Sequence, residues 1–418
     1  MTNVTEPQPT PTDKLSGTLL LSALVRRTAV DAAGQGLGRL SDIIVRLRDD
    51  HYPAVTGLVA HISGRELFVP AAEILAWDNQ RLELASARLD LRPFERRPGE
   101  VLLRGDVLGH RLVDVEQSRL VTAHDVQLTR SGDGWVATAV DVHPRGLLRH
   151  RSEHTWRDWS SIEALIGHDI SLPSRSRMGG LRRLKPAQLA DLIEEASNDE
   201  QSELLSRVHA HPDLEADVFE ELDEDQASDL LEARTDAQIA DVLAHMRSDD
   251  AADALLDLPQ ERRQAVLDLL PELQRNKITI LLGYQEATAG GLMSVDYLSV
   301  PLTSTADDAI RAVTQATHMQ PEAIVVVFCH DQDQRLVGTV SLVALVQSAP
   351  ALTMEALADP NPVHVHPDAD LTEITRAMAD YNLLVLPVLN HDNHQIGVLT
   401  IDDILEAAIA PERRRGQA

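Results

Sequence analysis

The chain has 418 residues, 43% of them hydrophobic and only 3% aromatic, with a formal net charge of -28. That length exceeds one ordinary core and calls for about two to four domains, with interiors built from Leu, Val, Ile and Ala. The charge argues against nucleic acid as a partner, and the single cysteine, Cys329, excludes an internal disulfide or thiolate metal cluster and fits a reducing compartment.

Residues 1–16, MTNVTEPQPTPTDKLS, have no basic start and no apolar stretch, so they read as a short disordered tail and not as a signal peptide. The most apolar run of the chain, AIVVVFC (323–329), is far short of the ~18 residues that cross a bilayer. The expectation is a soluble, cytoplasmic protein with no membrane-spanning segment.

Residues 17–150 read as β. Apolar stretches at 19–25, 42–47, 54–60 and 66–70 alternate with turns at 34–38 and 61–64. LLLSALVRRTAVD (19–31) is similar to LLRGDVLGHRLVD (102–114), which predicts two copies, 17–95 and 98–150, each a small β-barrel or half-barrel. The pattern of apolar strand, Gly-rich turn, DIIVRL strand and alternating strand resembles the PRC-barrel family, which implies a small β-barrel fold. Asp42, Arg46 and His51 read as solvated strand and turn residues. Residues 151–180 are basic and Ser-rich and read as a linker, with one docked turn around Trp156 and Trp159.

Residues 181–275 repeat a small-acidic-apolar-apolar unit: ADLI (190–193), SELL (202–205), ADVF (216–219), SDLL (228–231), ADVL (240–243) and ADAL (252–255), then a degenerate QAVL (264–267). A short fixed period predicts stacked helices of about two turns, with Leu192, Leu204, Leu230, Leu243 and Leu255 turned inward. Asn198, Asp223 and Thr235 each precede a Gln by three residues, the spacing of a capping box. Between Lys185 and Glu261 there are 23 carboxylates and four Lys or Arg side chains. A block of one sign attracts cations or a basic surface.

Residues 276–296 predict a connecting helix and junction. Two β-α-β patterns follow at 297–350 and 351–410, each with a strand beginning at a glycine (Gly338, Gly397) and a closing helix, and 411–418 read as a tail. LLVLPV and GVLTIDDIL in the second copy resemble the CBS-domain pair. AGGLMSVDYLSV (289–300) resembles the junction between the helical domain and the CBS pair in the MgtE family of magnesium channels, and the acidic repeat corresponds to that family's N domain. The reading over 181–410 is therefore an MgtE-like cytosolic region without the transmembrane domain. The fold class is multidomain α+β: β-barrel-like N-terminal domains, a superhelical repeat and a tandem CBS pair.

The resemblance implies magnesium held between carboxylates of the helical domain and of the CBS pair. The matching positions are Asp217 in ADVF, Asp249 and Asp253 in SDDAADAL, and Asp403 and Glu406 in IDDILE. Asp249 and Asp253 stand four apart, on one helix face. Two further family carboxylates fall on Thr372 and Asn382, leaving the set incomplete. CBS modules also bind adenine nucleotides, and here Thr400, Asp402 and Asp403 would serve. The first copy, GTVSLVA, has Ser341 and Ala344 at the equivalent positions, so at most one nucleotide site is complete. His364, His366, His391 and His394 raise the idea of a transition-metal site, but with no cysteine pair and no converging Asp or Glu in the pattern they read as solvated strand-edge and loop residues. GxSxG, Walker and HExxH motifs are absent, so no enzyme is expected. The function this implies is a Mg2+-responsive regulatory protein acting in trans on a membrane transporter or other partner, and forming a homodimer through its CBS pair. The alternatives are an adenine-nucleotide-binding module and a ligand-free scaffold.

Overall fold

The computed structural model describes residues 17–143 (apart from 26, 32, 49–50, 63, 78–81, 86–94, 98 and 133), 154–165 and 179–416 (apart from 286, 318 and 320). The expected 1–16 tail and much of the expected linker lie outside the described residues. The chain divides into two compact units, 1–222 and 223–418.

The first unit contains strands β1 (Thr18–Leu20), β2 (Thr28–Asp31), β3 (Gly36–Arg48), β4 (His51–Ile62), β5 (Arg65–Pro70), β6 (Ile74–Trp77), β7 (Leu82–Leu84), β8 (Glu100–Leu102), β9 (Arg111–Asp114), β10 (Arg119–Thr122), β11 (Asp125–Ser131), β12 (Gly134–Asp141), β13 (Trp156–Asp158) and β14 (Ile162–Ala164). Helices of this unit are α1 (Leu21–Leu24), α2 (Pro186–Glu195), α3 (Asn198–Val208) and α4 (Pro212–Glu221). The long antiparallel β3–β4 hairpin is its spine. Ile43, Ile44 and Val45 are all fully buried, so this strand is covered on both faces, as a continuous apolar run requires.

The two expected β copies are not separate barrels. One sheet runs β1-β11-β12-β4-β3-β2-β7-β6, with β13 on β12, β5 on β4 and β8 on β3. β1, from the first copy, pairs with β11 of the second, and β8 pairs back onto β3. Residues of both halves, from Leu19 to Ala164, share one hydrophobic core. A second sheet has the order β10-β9-β14.

The expected linker is also corrected. Trp156–Asp158 pairs with β12 and Ile162–Ala164 with β9. Trp159, Ile162 and Ala164 are buried, and that apolar spacing outweighs the polar composition of the neighbouring residues. Asp42, expected to be solvated, is buried. Its carboxylate accepts hydrogen bonds from the backbone N–H groups of Ile43 (2.7 Å), Arg104 (2.8 Å) and Gly105 (2.9 Å). It pins the β3 strand to the turn after β8. A buried ionic group fixes α3 to β14: Arg207 reaches Glu163 at 2.8 Å, Glu203 at 2.8 Å and the carbonyl of Ala164 at 2.9 Å.

The second unit begins with α5 (Glu224–Glu232), α6 (Asp236–Leu243), α7 (Ser248–Asp257), α8 (Gln260–Leu269) and α9 (Glu272–Leu281). The repeat length sets the helix length, and each helix packs on its second neighbour, α5 on α7, α6 on α8 and α7 on α9. Leu192, Leu204, Leu243 and Leu255 are buried as the repeat predicts, but at 228–231 it is Leu231 that turns inward, with Leu230 half-buried. The capping box forms at Thr235 with Gln238. In α3 the box lies one residue earlier than expected, at Ser197 with Glu200. Asp223 occupies its N-cap position without a side-chain cap bond.

After the short α10 (Ala289–Leu292) come β15 (Ser299–Pro301), α11 (Ala306–Gln315), β16 (Val326–His330), β17 (Leu336–Ser341), α12 (Leu342–Gln347), α13 (Met354–Leu357), α14 (Leu371–Tyr381), β18 (Val385–Leu389), β19 (Gln395–Thr400) and α15 (Ile401–Gly416). The order is strand, helix, strand, strand, helix in the first repeat. The second repeats it with a single parallel bridge, Val365 to Val388, in place of a full first strand. Phe328, Leu336, Val385, Leu389 and Val398 form a core that draws on both repeats. The junction is locked by paired backbone hydrogen bonds between Ser294 and Val398 (2.9 and 2.8 Å). Gly397 makes this approach feasible: a Cβ there would lie 2.5 Å from Met293 Sδ and 2.9 Å from the Ser294 carbonyl. The expected 411–418 tail is helical as far as Gly416.

Candidate cation-binding site

The site is built at the start of α7. The segment Arg247-Ser248-Asp249-Asp250 places two carboxylates in the first helical turn, where the positive end of the helix dipole favours them. Gln274 on α9 holds the preceding turn: its amide donates to the carbonyls of Leu243 (3.1 Å) and Met246 (3.0 Å). Arg247 can then extend in a fixed direction. Its Nη1 donates to Asp403 Oδ1 at 2.7 Å, and its Nε lies 2.6 Å from Asp250 Oδ2. Asp403 sits in the first turn of α15, so Arg247 ties the repeat helices to the last helix of the second β-α-β unit.

The other oxygen of Asp403 is taken locally. The Thr400 hydroxyl donates to Oδ2 at 2.6 Å. Asp249 is buried at 7% exposure, and its Oδ1 has no hydrogen-bond partner among the described residues. Burial first, then the nearby charges of Asp250 and Asp403, hold its carboxyl well above the usual range, with Arg247 only partly offsetting them. Burial also raises Asp403, against the opposing pull of Arg247 and the Thr400 hydroxyl. Three carboxylates and one guanidinium leave a formal charge of -2 in a poorly solvated place. That is an unfavourable arrangement for the protein alone. The donor set suits a hard divalent cation, which takes carboxylate oxygens and keeps waters. The orphaned Asp249 oxygen is what such an ion would satisfy.

The structure distributes the expected ligands unevenly. Asp249 and Asp403 come together. Asp253, expected beside Asp249, is exposed, as is Glu406 on α15. Asp250 joins Asp249 instead, because the buried group faces the first turn of the helix and not its flank. Asp217 is exposed on α4 in the first unit. The sequence reading missed Arg247 and Asp250. Their signal was the run R-S-D-D at a helix start, with a cation placed among acidic positions. Asn382 has φ 52° as the left-handed C-cap of α14, a conformational reason for asparagine where a family carboxylate was expected.

For a nucleotide, Thr400 and Asp403 are bonded to one another and Asp403 also to Arg247, while Asp402 is exposed. In the first repeat the Ser341 hydroxyl accepts from Ala344 N–H at 3.1 Å and caps α12. Of the four histidines of the second repeat, His364, His366 and His391 lie ring beside ring, with 5.8 and 5.3 Å between centroids, but their ligand atoms do not gather as a set: His366 bonds the Leu389 carbonyl and His364 that of Pro362, while His394 bonds that of Asp333. Cys329 is buried, which pushes its thiol up to about 11.

Comparison with known proteins agrees with this architecture. Residues 184–287 match the MgtE intracellular N domain and residues 354–410 the CBS domain. The magnesium transporter MgtE of Thermus thermophilus is 29% identical over 245 residues, 52% of this chain and 54% of that protein. That of Bacillus subtilis is 24% identical over 259 residues, 60% of this chain and 51% of the relative. The chain thus spans about half the length of the curated relatives it matches. The crystal structure of the soluble part of a magnesium transporter superposes with TM-score 0.52 at 25% identity, over 56% of this chain and 91% of that one. The cytosolic domain of the Mg2+ channel MgtE in complex with ATP gives 0.51 at 28% identity, over 54% and 92%. Among the described residues no helix is long and apolar enough to cross a membrane.

Proposed function

We propose that this chain, whose helical repeat and CBS pair resemble the cytosolic region of MgtE, is a divalent-cation-responsive regulatory module and that Mg2+ is its ion. The observation that supports the reading is the buried Asp249, with an unpartnered oxygen, beside Asp250 and Asp403. A single Mg2+ carries the +2 that cancels the formal charge of this group. Bound there, it would clamp the start of α7 to the start of α15. Without it, Arg247 offsets the repulsion only in part. A domain pair whose closed form is preferred by one ligand is a two-state element that a partner can read. In this proposal the partner is a membrane transporter, addressed from the cytoplasm, and the module has no catalytic role of its own.

Val343 and Val346 on α12 and Leu405 and Ile409 on α15 are exposed by 49–66%. We assign this apolar face of the CBS pair to a homodimer contact, which sedimentation at rising concentration tests. The direct test of the cation reading is scattering and thermal unfolding with and without millimolar Mg2+. A smaller radius and a higher Tm with the ion are expected, and both effects should vanish in Asp249→Ala. No change in the unaltered chain would sink the reading.

A second reading, binding of an adenine nucleotide, is favoured by the ATP complex of a structural relative and by the Gly397, Thr400, Asp403 pattern. It requires Asp403 and Thr400 to release one another. Calorimetry with ATP, ADP and AMP decides it, since Asp403→Ala should abolish any heat seen.

A further inference from the structure

We propose that Asp141, His143 and His154, at the edge of the large sheet in the first unit, form a binding site for a transition-metal dication of the zinc type. Among the described residues these are the side chains whose ligand atoms gather as a set of three, all within 4.8 Å of one another. The imidazole Nδ1 of His143 lies 2.9 Å from Asp141 Oδ2, and that of His154 lies 2.5 Å from the same oxygen. The chemistry differs from that of the acidic site in the second unit. Two imidazoles and one carboxylate suit zinc, cobalt, nickel or copper, whereas magnesium takes oxygen.

The surroundings prepare the site. Asp141 is 1% exposed, and its Oδ1 is fixed by the backbone N–H groups of Thr155 (2.9 Å) and His143 (3.2 Å). Oδ2 is thereby aimed at both rings. Outer-shell hydrogen bonds of this kind orient metal-binding carboxylates. His154 stacks on Trp156 at 5.6 Å between centroids, which steadies a ring that is otherwise open to solvent. That openness supplies the path of entry. The His124 ring lies 4.5 Å from that of His143, and its backbone N–H donates to the Asp141 carbonyl at 2.8 Å. Its ligand atoms fall outside the set of three, so it buttresses the His143 ring, and a water completes the coordination.

With metal–ligand bonds of about 2.0–2.2 Å, tetrahedral ligand atoms stand roughly 3.3 Å apart. The observed nitrogen-to-oxygen distances of 2.5 and 2.9 Å are those of hydrogen bonds, with each imidazole N–H donating to the shared carboxylate oxygen. An ion replaces those protons, and each ring moves out by less than about 1 Å. The exposed His154 and the half-buried His143 can do this without disturbing the strands.

The experiment uses the full chain, free of any histidine tag and treated with chelator. Co2+ is titrated while its visible ligand-field absorption is followed, and Zn2+ is titrated by calorimetry in excess Mg2+. One equivalent should bind, with a tetrahedral cobalt spectrum and a rise in Tm. His154→Gln, at an exposed position, should weaken binding by about 100-fold or more, beyond the ~10–100-fold typical of second-shell changes. Asp249→Asn should leave it unchanged. No cobalt absorption in the unaltered chain overturns the proposal. So does full binding in His143→Ala/His154→Gln, which would place the metal elsewhere. If His143→Ala fails to fold, His154→Gln alone decides.

Discussion

Asp249→Asn is the most informative substitution in the second unit, because it should stabilise the protein while removing the response to Mg2+ proposed for it. The side chain keeps its shape but loses its charge, and the new amide can donate toward Asp250 and Asp403. A buried polar atom without a partner costs about 1–3 kcal/mol, and more when charged. A gain of about 1–2 kcal/mol in metal-free buffer is therefore expected. For a unit of this size that is a rise of roughly 2–8 °C in Tm. In the unaltered chain, free Mg2+ at ten times its dissociation constant adds about 1.4 kcal/mol, and the variant should lose that increment. The pH dependence supplies a third readout. The carboxyl is raised in the folded state, so between the unfolded value of about 3.9 and the folded one the native protein holds the extra proton. Stability then falls as pH rises through this window and levels off above it. The slope should disappear in Asp249→Asn. Differential scanning calorimetry across pH, with and without Mg2+, measures all three. A variant that is less stable without metal and keeps the full Mg2+ increment would refute the argument. Asp249 would then be an ordinary structural acceptor.

The remaining tests probe the same logic from other sides. Arg247→Gln removes the guanidinium that bridges Asp250 and Asp403 beside the buried Asp249, so it should destabilise the metal-free second unit by about 3–5 kcal/mol. Much of that loss should return on adding Mg2+, and denaturant melts at two Mg2+ concentrations check it. In the first unit, Arg207→Ala removes the buried cation between Glu163 and Glu203 and should also cost about 3–5 kcal/mol, with no Mg2+ rescue. Faster amide exchange in α3 and β14 is the expected sign. Cys329, with its thiol raised to about 11, should resist a thiol reagent at pH 8 in the native state and react only on unfolding. Labelling as fast as that of the denatured chain would contradict its buried position.

The helical repeat was the most legible part of the sequence, because a period of about 12 residues fixes both helix length and the buried face. Errors there are local. Leu231 replaces Leu230, and the α3 cap shifts to Ser197, since neighbouring residues of equal chemistry compete for one geometric position. The β region was legible as strands but not as topology. Similar apolar stretches at 19–31 and 102–114 look like two closed copies, yet β1 completes its hydrogen bonds on β11 and β8 on β3. Strand exchange depends on long-range pairing that alternation does not encode. Asp42 shows the same limit: a polar letter in a strand reads as solvated until the backbone N–H groups of Arg104 and Gly105 are brought to it.

The candidate site was half legible for a related reason. Spacing placed Asp249 with Asp253, which is correct for the flank of a helix. The buried group lies instead at the helix start, where consecutive residues, Asp249 and Asp250, can share one environment and where Arg247 precedes them. That arginine changes what the site means. A purely acidic clamp stands open until an ion enters. Here a tethered guanidinium already spans Asp250 and Asp403 at 2.6 and 2.7 Å, so the clamp is partly closed in its absence. Arg247 supplies +1 where -3 is gathered, which lowers the repulsion available to drive opening and lowers the gain from binding. In the proposed switch this is a bias toward the closed form, and the ion concentration needed to complete closure would depend on how much of that bias Arg247 provides. Removing the arginine should widen the difference between the metal-free and Mg2+-bound states, and adding to its charge cannot.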